Sequence, residues 1–338
     1  MGGIRADQAV AQLATQFHRH LANDNIDPGI FVESLLATAP AAHHWECTDS
    51  YPFVAGVAPD GAPLETSISL GLNGATALRF LVQPAANTRR GDLEILEGLR
   101  QIGTRLDAQG DTMPLRALLR ALIDLGVRRE RSYFAWLGFE QCSDGATSQK
   151  LYINPWAIAH LSPGEVAGLT ASLVPAARAS LSEVGPSLGT LPPAALHIIG
   201  FNAPRSRPLQ AKLYFVVRTR DPAEIDPFIA GAACPELMHG WQALRSAIPW
   251  QRAPRGLVEL HLSICAYSHK RKINFFCPDI ASDDRAVLAL IKGWSREMNA
   301  PRASLQGLTQ LLACKTSARR INFLGLAHNK LDVYFRPW

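Results

Sequence analysis

Six cysteines (Cys47, Cys142, Cys234, Cys265, Cys277, Cys314) are scattered through 338 residues, and no two of them form a CxxC pair. This argues against a disulfide framework or a cysteine metal site and fits reduced thiols in a cytoplasmic protein. No apolar run reaches the roughly twenty residues of a membrane span, so no membrane role is expected. The opening Met1-Gly-Gly-Ile-Arg-Ala-Asp lacks the basic-then-apolar order of a secretory leader. Ala6 stands where myristoylation needs Ser or Thr. No shift in composition and no Pro/Ser/Gly linker divides the chain. Residues 1–338 therefore read as a single domain: helices and a leading segment over 1–60, then five hairpin–helix repeats over 61–338. Charged residues are only 19% and hydrophobic ones 47%, which suits a large core. The net charge of +5 permits an anionic partner without choosing one.

What is present is alternation. In Ala211-Lys-Leu-Tyr-Phe-Val-Val, a strand puts Lys212 and Tyr214 on one face and Leu213 and Phe215 on the other. The pattern recurs as Lys150-Leu-Tyr152-Ile, Lys272-Ile-Asn274-Phe and Asp332-Val-Tyr334-Phe, at spacings of about sixty residues, which marks an internal repeat. Turn-forming residues divide the strands into hairpins over 63–84, 132–155, 194–218, 257–278 and 319–336. Helical periodicity fills 5–22, 29–37, 91–126, 162–183, 221–248, 283–298 and 302–315. Five hairpins give about ten antiparallel strands, an α+β arrangement. An isolated hairpin exposes its edges, and closure into a barrel removes them. The competing architecture is a sheet with one wet face and helices on the other.

The strand faces favour the barrel. One carries Glu65, Ser67, Ser69, Arg79, Lys150, Tyr152, Asn154, Lys212, Tyr214, Glu259, His261, Ser263, Lys272, Asn274, Asn322, Asp332, Tyr334 and Arg336. The other carries Ile, Leu, Val and Phe, and amphipathic helices would cover it. The polar face then lines a lumen. Converging cations repel one another unless an anion compensates. Lys-x-Tyr pairs supply charge plus a hydroxyl donor, which suits phosphate oxygens. Aromatic faces can shield a carbocation. Together these could ionise an allylic diphosphate.

On these pieces the chain resembles the aromatic prenyltransferases of the ABBA, or PT-barrel, superfamily, and within it the dimethylallyltryptophan synthase group of indole prenyltransferases. The pieces are Pro63-Leu-Glu65-Thr-Ser, Arg79-Phe-Leu-Val-Gln-Pro84, Lys150-Leu-Tyr152-Ile-Asn-Pro155, Lys212-Leu-Tyr214-Phe, Lys272-Ile-Asn274-Phe-Phe-Cys-Pro278 and Tyr334-Phe-Arg-Pro337. The resemblance implies a closed ten-stranded barrel ringed by helices. It implies that Arg79, Lys150, Lys212 and Lys272 hold the diphosphate, that Tyr152, Tyr214 and Tyr334 shield the cation, and that Glu65 binds the indole N–H as base. Asn274, His261 and Arg336 are further lumen candidates. The implied activity is transfer of a prenyl group, dimethylallyl most simply, from its diphosphate to an indole or tryptophan derivative by Friedel–Crafts alkylation. The prenyl diphosphate is a co-substrate. No metal is expected to be obligatory, with magnesium at most stimulatory, since lysines take its electrostatic place.

The chain departs from the family in places. Asn274 stands where a tyrosine is usual, the strand ending at Glu140 lacks a lysine that often serves there as acid/base, and Gln210 replaces an extra cation. The chain is shorter than typical fungal members, which suggests a trimmed rim and keeps open a peptide, phenol or phenazine acceptor. A non-catalytic module for an anionic ligand is the third possibility. Ser282-Asp-Asp lacks the second half of a magnesium-binding aspartate motif and reads as a helix N-cap. His269-Lys-Arg-Lys272 lies at a hairpin turn with no nucleic-acid module around it, so no nucleic-acid partner is expected. Trp45, Trp136, Trp156 and Trp338 are open between core, rim and stacking roles.

Overall fold

Ten strands close into one antiparallel ring in the computed structural model. It describes residues 5–21, 27–38, 64–72, 74–82, 135–154, 195–204, 210–232, 234–253, 257–265, 270–312 and 320–336, with short helical pieces at 168, 171–172, 178–179 and 181–182. The strands are β1 Leu64–Gly71, β2 Gly74–Val82, β3 Ala135–Cys142, β4 Thr147–Ile153, β5 Ala195–Pro204, β6 Gln210–Thr219, β7 Val258–Cys265, β8 Arg271–Phe276, β9 Ile321–Ala327 and β10 Lys330–Phe335. Each pairs with its sequence neighbours, and β1 closes the ring by pairing with β10 from Thr66↔Phe335 to Gly71↔Lys330. That closure rules out the open sheet with a wet face. All five expected hairpins are present.

The outward face of the ring is apolar and buried. Ile68, Leu78, Leu151, Leu213, Leu260, Ile273 and Val333 are at most 1% exposed. Helix Ala6–Leu21 presents Val10, Leu13, Ala14 and Phe17 to this core, following its 3.6-residue period. From helix Pro28–Thr38, Phe31 meets Phe80 edge-on at 5.2 Å and Phe139 at 5.9 Å. Trp241 of helix Pro235–Ala247 stacks on Phe275 at 6.0 Å and 15°. Each such buried side chain contributes about 1.5–3 kcal/mol, so the helices hold the barrel's greasy face out of water.

Side-chain caps place the helices. Beyond Thr219, Asp221 accepts from Ala223 N at 2.8 Å and opens a short turn, Pro222–Ile225, before helix Asp226–Ala230. Asp283 caps helix Asp284–Glu297 by accepting from Ala286 N at 2.8 Å. Asp284 accepts from Arg320 N and Ile321 N, which ties that helix to the start of β9. The paired aspartates are thus structural, as their place before a helix suggests. Helix Arg302–Leu312 completes the described ring. The helical stretch expected over 91–126 lies outside the described residues, as do Trp45, Trp156 and Trp338.

Candidate active site

The strand register brings the polar residues to one lumen. Arg79 pairs across to Ser67 on one side and Glu140 on the other. Lys150 faces Gly138 and Asn202. Lys212 faces Gly200 and Cys265, Tyr214 faces Ser263, and Ser263 faces Lys272. Asp332 and Tyr334 lie beside Ser69 and Ser67. Odd-numbered strands run towards the hairpin turns and even-numbered strands away from them. Lys150, Lys212 and Lys272 are therefore nearest the turns, and Tyr152 and Tyr214 sit one inward step farther, about 7 Å along the strand. A cavity of about 450 Å³ is lined by Glu65, Arg79, Lys150, Lys212, Lys272 and all three tyrosines of the expected shield.

Two carboxylates organise the cations. Glu140 bonds Arg79 Nε and takes Lys150 Nζ at 2.6 Å. Asp332 takes Arg79 Nη1 at 3.1 Å and also bonds Lys272 and Ser69. Arg79 thus bridges both acids from the middle of β2. Burial alone would push both acids up, but Arg79 with Lys150 holds Glu140 well below the usual carboxylate range, and Arg79 with Lys272 does the same for Asp332. Burial would lower Arg79 too, and Asp332 and Glu140 more than offset it. A fifth cation, Lys330, lies 3.9 Å from Asp332. With every lysine protonated, the five cations of this cluster exceed its two acids by three charges, the charge of an ionised diphosphate monoester.

Lys212 is the least compensated of the five. No carboxylate lies within ion-pair distance of its Nζ in the described network. Burial, then Lys150, Lys330 and Lys272, bring its pKa down to about 7. Lys330 is brought down to about 8, by burial against the pull of Asp332. An anion in the cavity would raise both. Diphosphate binding should therefore take up protons, and affinity should fall as pH rises above about 7, by at most about tenfold per pH unit for each proton taken up. Below that window Lys212 is already charged, and its contribution is flat. Lys212→Ala should weaken diphosphate binding by about 1.5–3 kcal/mol and remove the part of the slope that begins near 7. Titration calorimetry in buffers of different ionisation enthalpy reads both quantities. Unchanged affinity with an unchanged slope would place Lys212 outside the diphosphate site.

Above the cations, Tyr214 and Tyr334 stay neutral. Burial raises Tyr214 and Tyr334 well above the phenol range, so each keeps a donor proton at any physiological pH. Tyr152 and Tyr214 pack edge-to-face at 5.9 Å. Gly200 lies between them, and a Cβ there would meet both rings at 3.0 Å. Lys272 Nζ sits 4.7 Å over the Tyr334 ring and bonds its hydroxyl. Gly325 plays the matching part on β9, since a Cβ there would run into Asn274 Oδ1 and Lys272. Asn274 is 8% exposed and faces His261 and Gly325 from the expected place in β8.

The remote half of the lumen has different chemistry. Glu65, 4% exposed, accepts from Asn322 Nδ2 at 2.9 Å. Trp136 is buried opposite Tyr152. His261 bonds Glu259 at 3.1 Å and packs against Phe323 at 5.2 Å. Arg336 is buried, and its carbonyl accepts from Arg320. Its structural partner is thus the start of β9, away from the cation cluster. Sequence reasoning missed Glu140, Lys330 and the role of Asp332. The alternation Trp136-x-Gly138-x-Glu140 carried the signal for Glu140. Lys330 looked like a turn residue.

Among the described residues one group could hold a metal ion: Cys234, Glu236 and His328. Cys234 Sγ lies 2.7 Å from His328 Nδ1, and its thiol donates to Glu236 at 3.4 Å. Burial raises the thiol. These donors satisfy one another, and Glu236 and His328 are half-exposed.

No protein-family model matches the sequence, and no curated protein matches it. Solved structures match over nearly the whole chain. The prenyltransferase PriB in its apo form aligns with a TM-score of 0.74 at 17% identity, over 99% of this chain and 96% of that one. The chain has the prenyltransferase-barrel fold. 5-Dimethylallyltryptophan synthase from Streptomyces coelicolor aligns with a TM-score of 0.68 at 16% identity, over 98% of this chain and 97% of that one. 6-Dimethylallyltryptophan synthase from Micromonospora olivasterospora, in complex with DMASPP and Trp, gives 0.71 at 14% identity, over 99% and 98%. Crystal structures of PriB hold its product diphosphate, or L-tryptophan with dimethylallyl thiolodiphosphate. In this prenyltransferase barrel, no helix among the described residues is long and apolar enough to cross a membrane.

Proposed function

We propose that the protein is an aromatic prenyltransferase. It moves a prenyl group, most simply dimethylallyl, from its diphosphate to an indole, as tryptophan or a molecule containing it. The observation that carries the reading is the division of one lumen. A cation cluster with an excess of about three charges lies at the turn end, a tyrosine layer lies next to it, and a buried carboxylate lies beyond. The neighbours that bind tryptophan with a dimethylallyl diphosphate analogue support the donor and the acceptor class. The match extends over 96% and 98% of two of these neighbours' own chains.

The reaction follows from the layers. Arg79, Lys150, Lys212 and Lys272 take up the charge that develops on the leaving diphosphate as the C–O bond breaks. Tyr152, Tyr214 and Tyr334 present ring faces to the allyl cation and exclude water that would quench it. Glu65, oriented by Asn322, accepts the indole N–H and stabilises the ring as its carbon attacks. Loss of the ring proton at that carbon restores aromaticity.

The deciding experiment incubates the protein with dimethylallyl and geranyl diphosphates against indoles, phenols and peptides, and reads the mass increment. Product with indoles is expected. Product with phenols or peptides alone would move the acceptor class, and none with any pair would favour a binding module. Because protein cations match the charge of the diphosphate, EDTA should leave most of the activity. Complete loss with EDTA, restored by magnesium, would show that the cation cluster does not suffice.

A further inference from the structure

The remote half of the lumen holds an acid–base pair that the reaction above does not use. His261 lies on β7, one inward step beyond Ser263, which lines the cavity between Tyr214 and Lys272. It is therefore on the acceptor side of the tyrosine layer, as Glu65 is on β1. In the ring of ten strands β7 stands four places from β1, so Glu65 and His261 face the lumen from nearly opposite walls. The strand that lacks the family's usual lysine offers no base there. Its inward positions carry Trp136, Gly138 and Glu140, and Glu140 is engaged by Arg79 and Lys150.

His261 Nε2 contacts Glu259 Oε1 at 3.1 Å. Arg218 also holds Glu259, with Nη2 at 2.7 Å and Nε at 2.9 Å. The bond from His261 first, and then Arg218, hold Glu259 down at about 2 against the cost of its burial. Glu259 is thus an acceptor, Nε2 carries the proton, and Nδ1 is the basic nitrogen of the ring. Phe323 at 5.2 Å and His197 at 5.6 Å flank the imidazole, and Phe323 in turn meets Tyr334. A carboxylate that fixes the tautomer of an imidazole beside an aromatic wall is the equipment of a general base.

We propose that His261 removes the ring proton from the prenylated arenium intermediate, with Glu259 as the residue that positions it. This rests on the prenyltransferase reading. Prenylation leaves an sp³ ring carbon bearing hydrogen. Its C–H bond breaks, the electron pair returns to the ring, and the proton passes to Nδ1 of His261, giving an imidazolium next to the Glu259 carboxylate. Glu65 meanwhile holds the indole N–H from the opposite wall. The two groups therefore serve two different protons.

The test compares protiated tryptophan with tryptophan deuterated on its indole ring, using dimethylallyl diphosphate as donor. The wild type comes first: no product with tryptophan or any indole means that the prenyltransferase reading fails, independently of His261. Given turnover, His261→Gln should lower kcat by roughly 10²-fold with the donor KM unchanged. Proton loss should then limit the rate, so an isotope effect on kcat should appear that the wild type lacks. His261→Ala should be partly restored by imidazole in the buffer, a response that a merely structural role would not give. Glu259→Gln should show a smaller loss with the same isotope effect. If folded His261→Gln, checked by its circular dichroism, turns over at the wild-type rate or slows without an isotope effect, His261 is not the base.

Discussion

Glu65→Gln is expected to lower turnover by roughly 10²–10⁴-fold while leaving donor binding nearly intact. The carboxylate is 4% exposed on β1 and accepts from Asn322 Nδ2 at 2.9 Å, so its orientation is fixed before an acceptor arrives. Attack of an indole carbon on an allyl cation makes the ring positive and its N–H acidic. A carboxylate on that N–H gains strength as the charge develops, which is stabilisation specific to the transition state. Glutamine keeps the size and one acceptor oxygen but loses the charge and the basicity. Lys212 and Lys272 lie at the turn ends of β6 and β8 and Glu65 at the opposite end of β1, so diphosphate affinity should move far less than turnover. Diphosphate release without prenylation should rise, because water intercepts a cation that the ring captures slowly. Comparing released diphosphate with prenylated product measures this directly. A Gln variant that prenylates an indole at the wild-type rate would remove Glu65 from the mechanism and favour a phenol or peptide acceptor.

Much of this arrangement is legible in the sequence, because a strand's period of two leaves no freedom once the greasy face is known. Lys212 and Tyr214 must share a face opposite Leu213 and Phe215, and the covering helices decide which face is inside. Asn322 is harder to place. A register shift between Tyr334 and Phe335 leaves it without a strand partner, so pairing alone does not show that it reaches Glu65. Counter-charges are harder still. Asp332 could be assigned to the polar face, but not to Arg79 and Lys272, since β10 meets β1 only when the ring closes over more than 250 residues of chain. Glu140 joins the cluster through the pairing of β2 with β3, strands of two different hairpins that residues 83–134 separate in sequence. Such long-range contacts depend on barrel closure, which local pattern does not encode. Gly200 and Gly325 were visible as strand glycines, and glycine in a strand marks close approach of another group. What approaches, a pair of tyrosines in one case and Lys272 with Asn274 in the other, is set by neighbouring strands.

Arg79→Ala is expected to be the most damaging change to the cation cluster, through both stability and donor binding. Arg79 is 8% exposed and is the member that contacts both acids, bonding Glu140 through Nε and Asp332 through Nη1 at 3.1 Å. Removing one partner from a buried ion pair costs about 3–5 kcal/mol, because the remaining charge stays desolvated without compensation. Lys150 and Lys272 still hold the two acids, so the lower end of that range applies. Donor binding loses a further charge-assisted contact, about 1.5–3 kcal/mol, or roughly ten- to a hundredfold in affinity. The two losses can be separated. Arg79→Gln keeps an amide donor for one of the acids but no charge, so stability should fall less than in Arg79→Ala while donor affinity stays low. Arg79→Lys keeps the charge, but a single ammonium lacks the planar fork that reaches both carboxylates. It should recover part of the stability and little of the donor affinity. Denaturant unfolding reads the first quantity and calorimetric titration with a non-hydrolysable donor analogue reads the second. If Arg79→Ala unfolds at the wild-type midpoint and binds the analogue as tightly as the wild type, Arg79 neither organises the two acids nor holds the diphosphate.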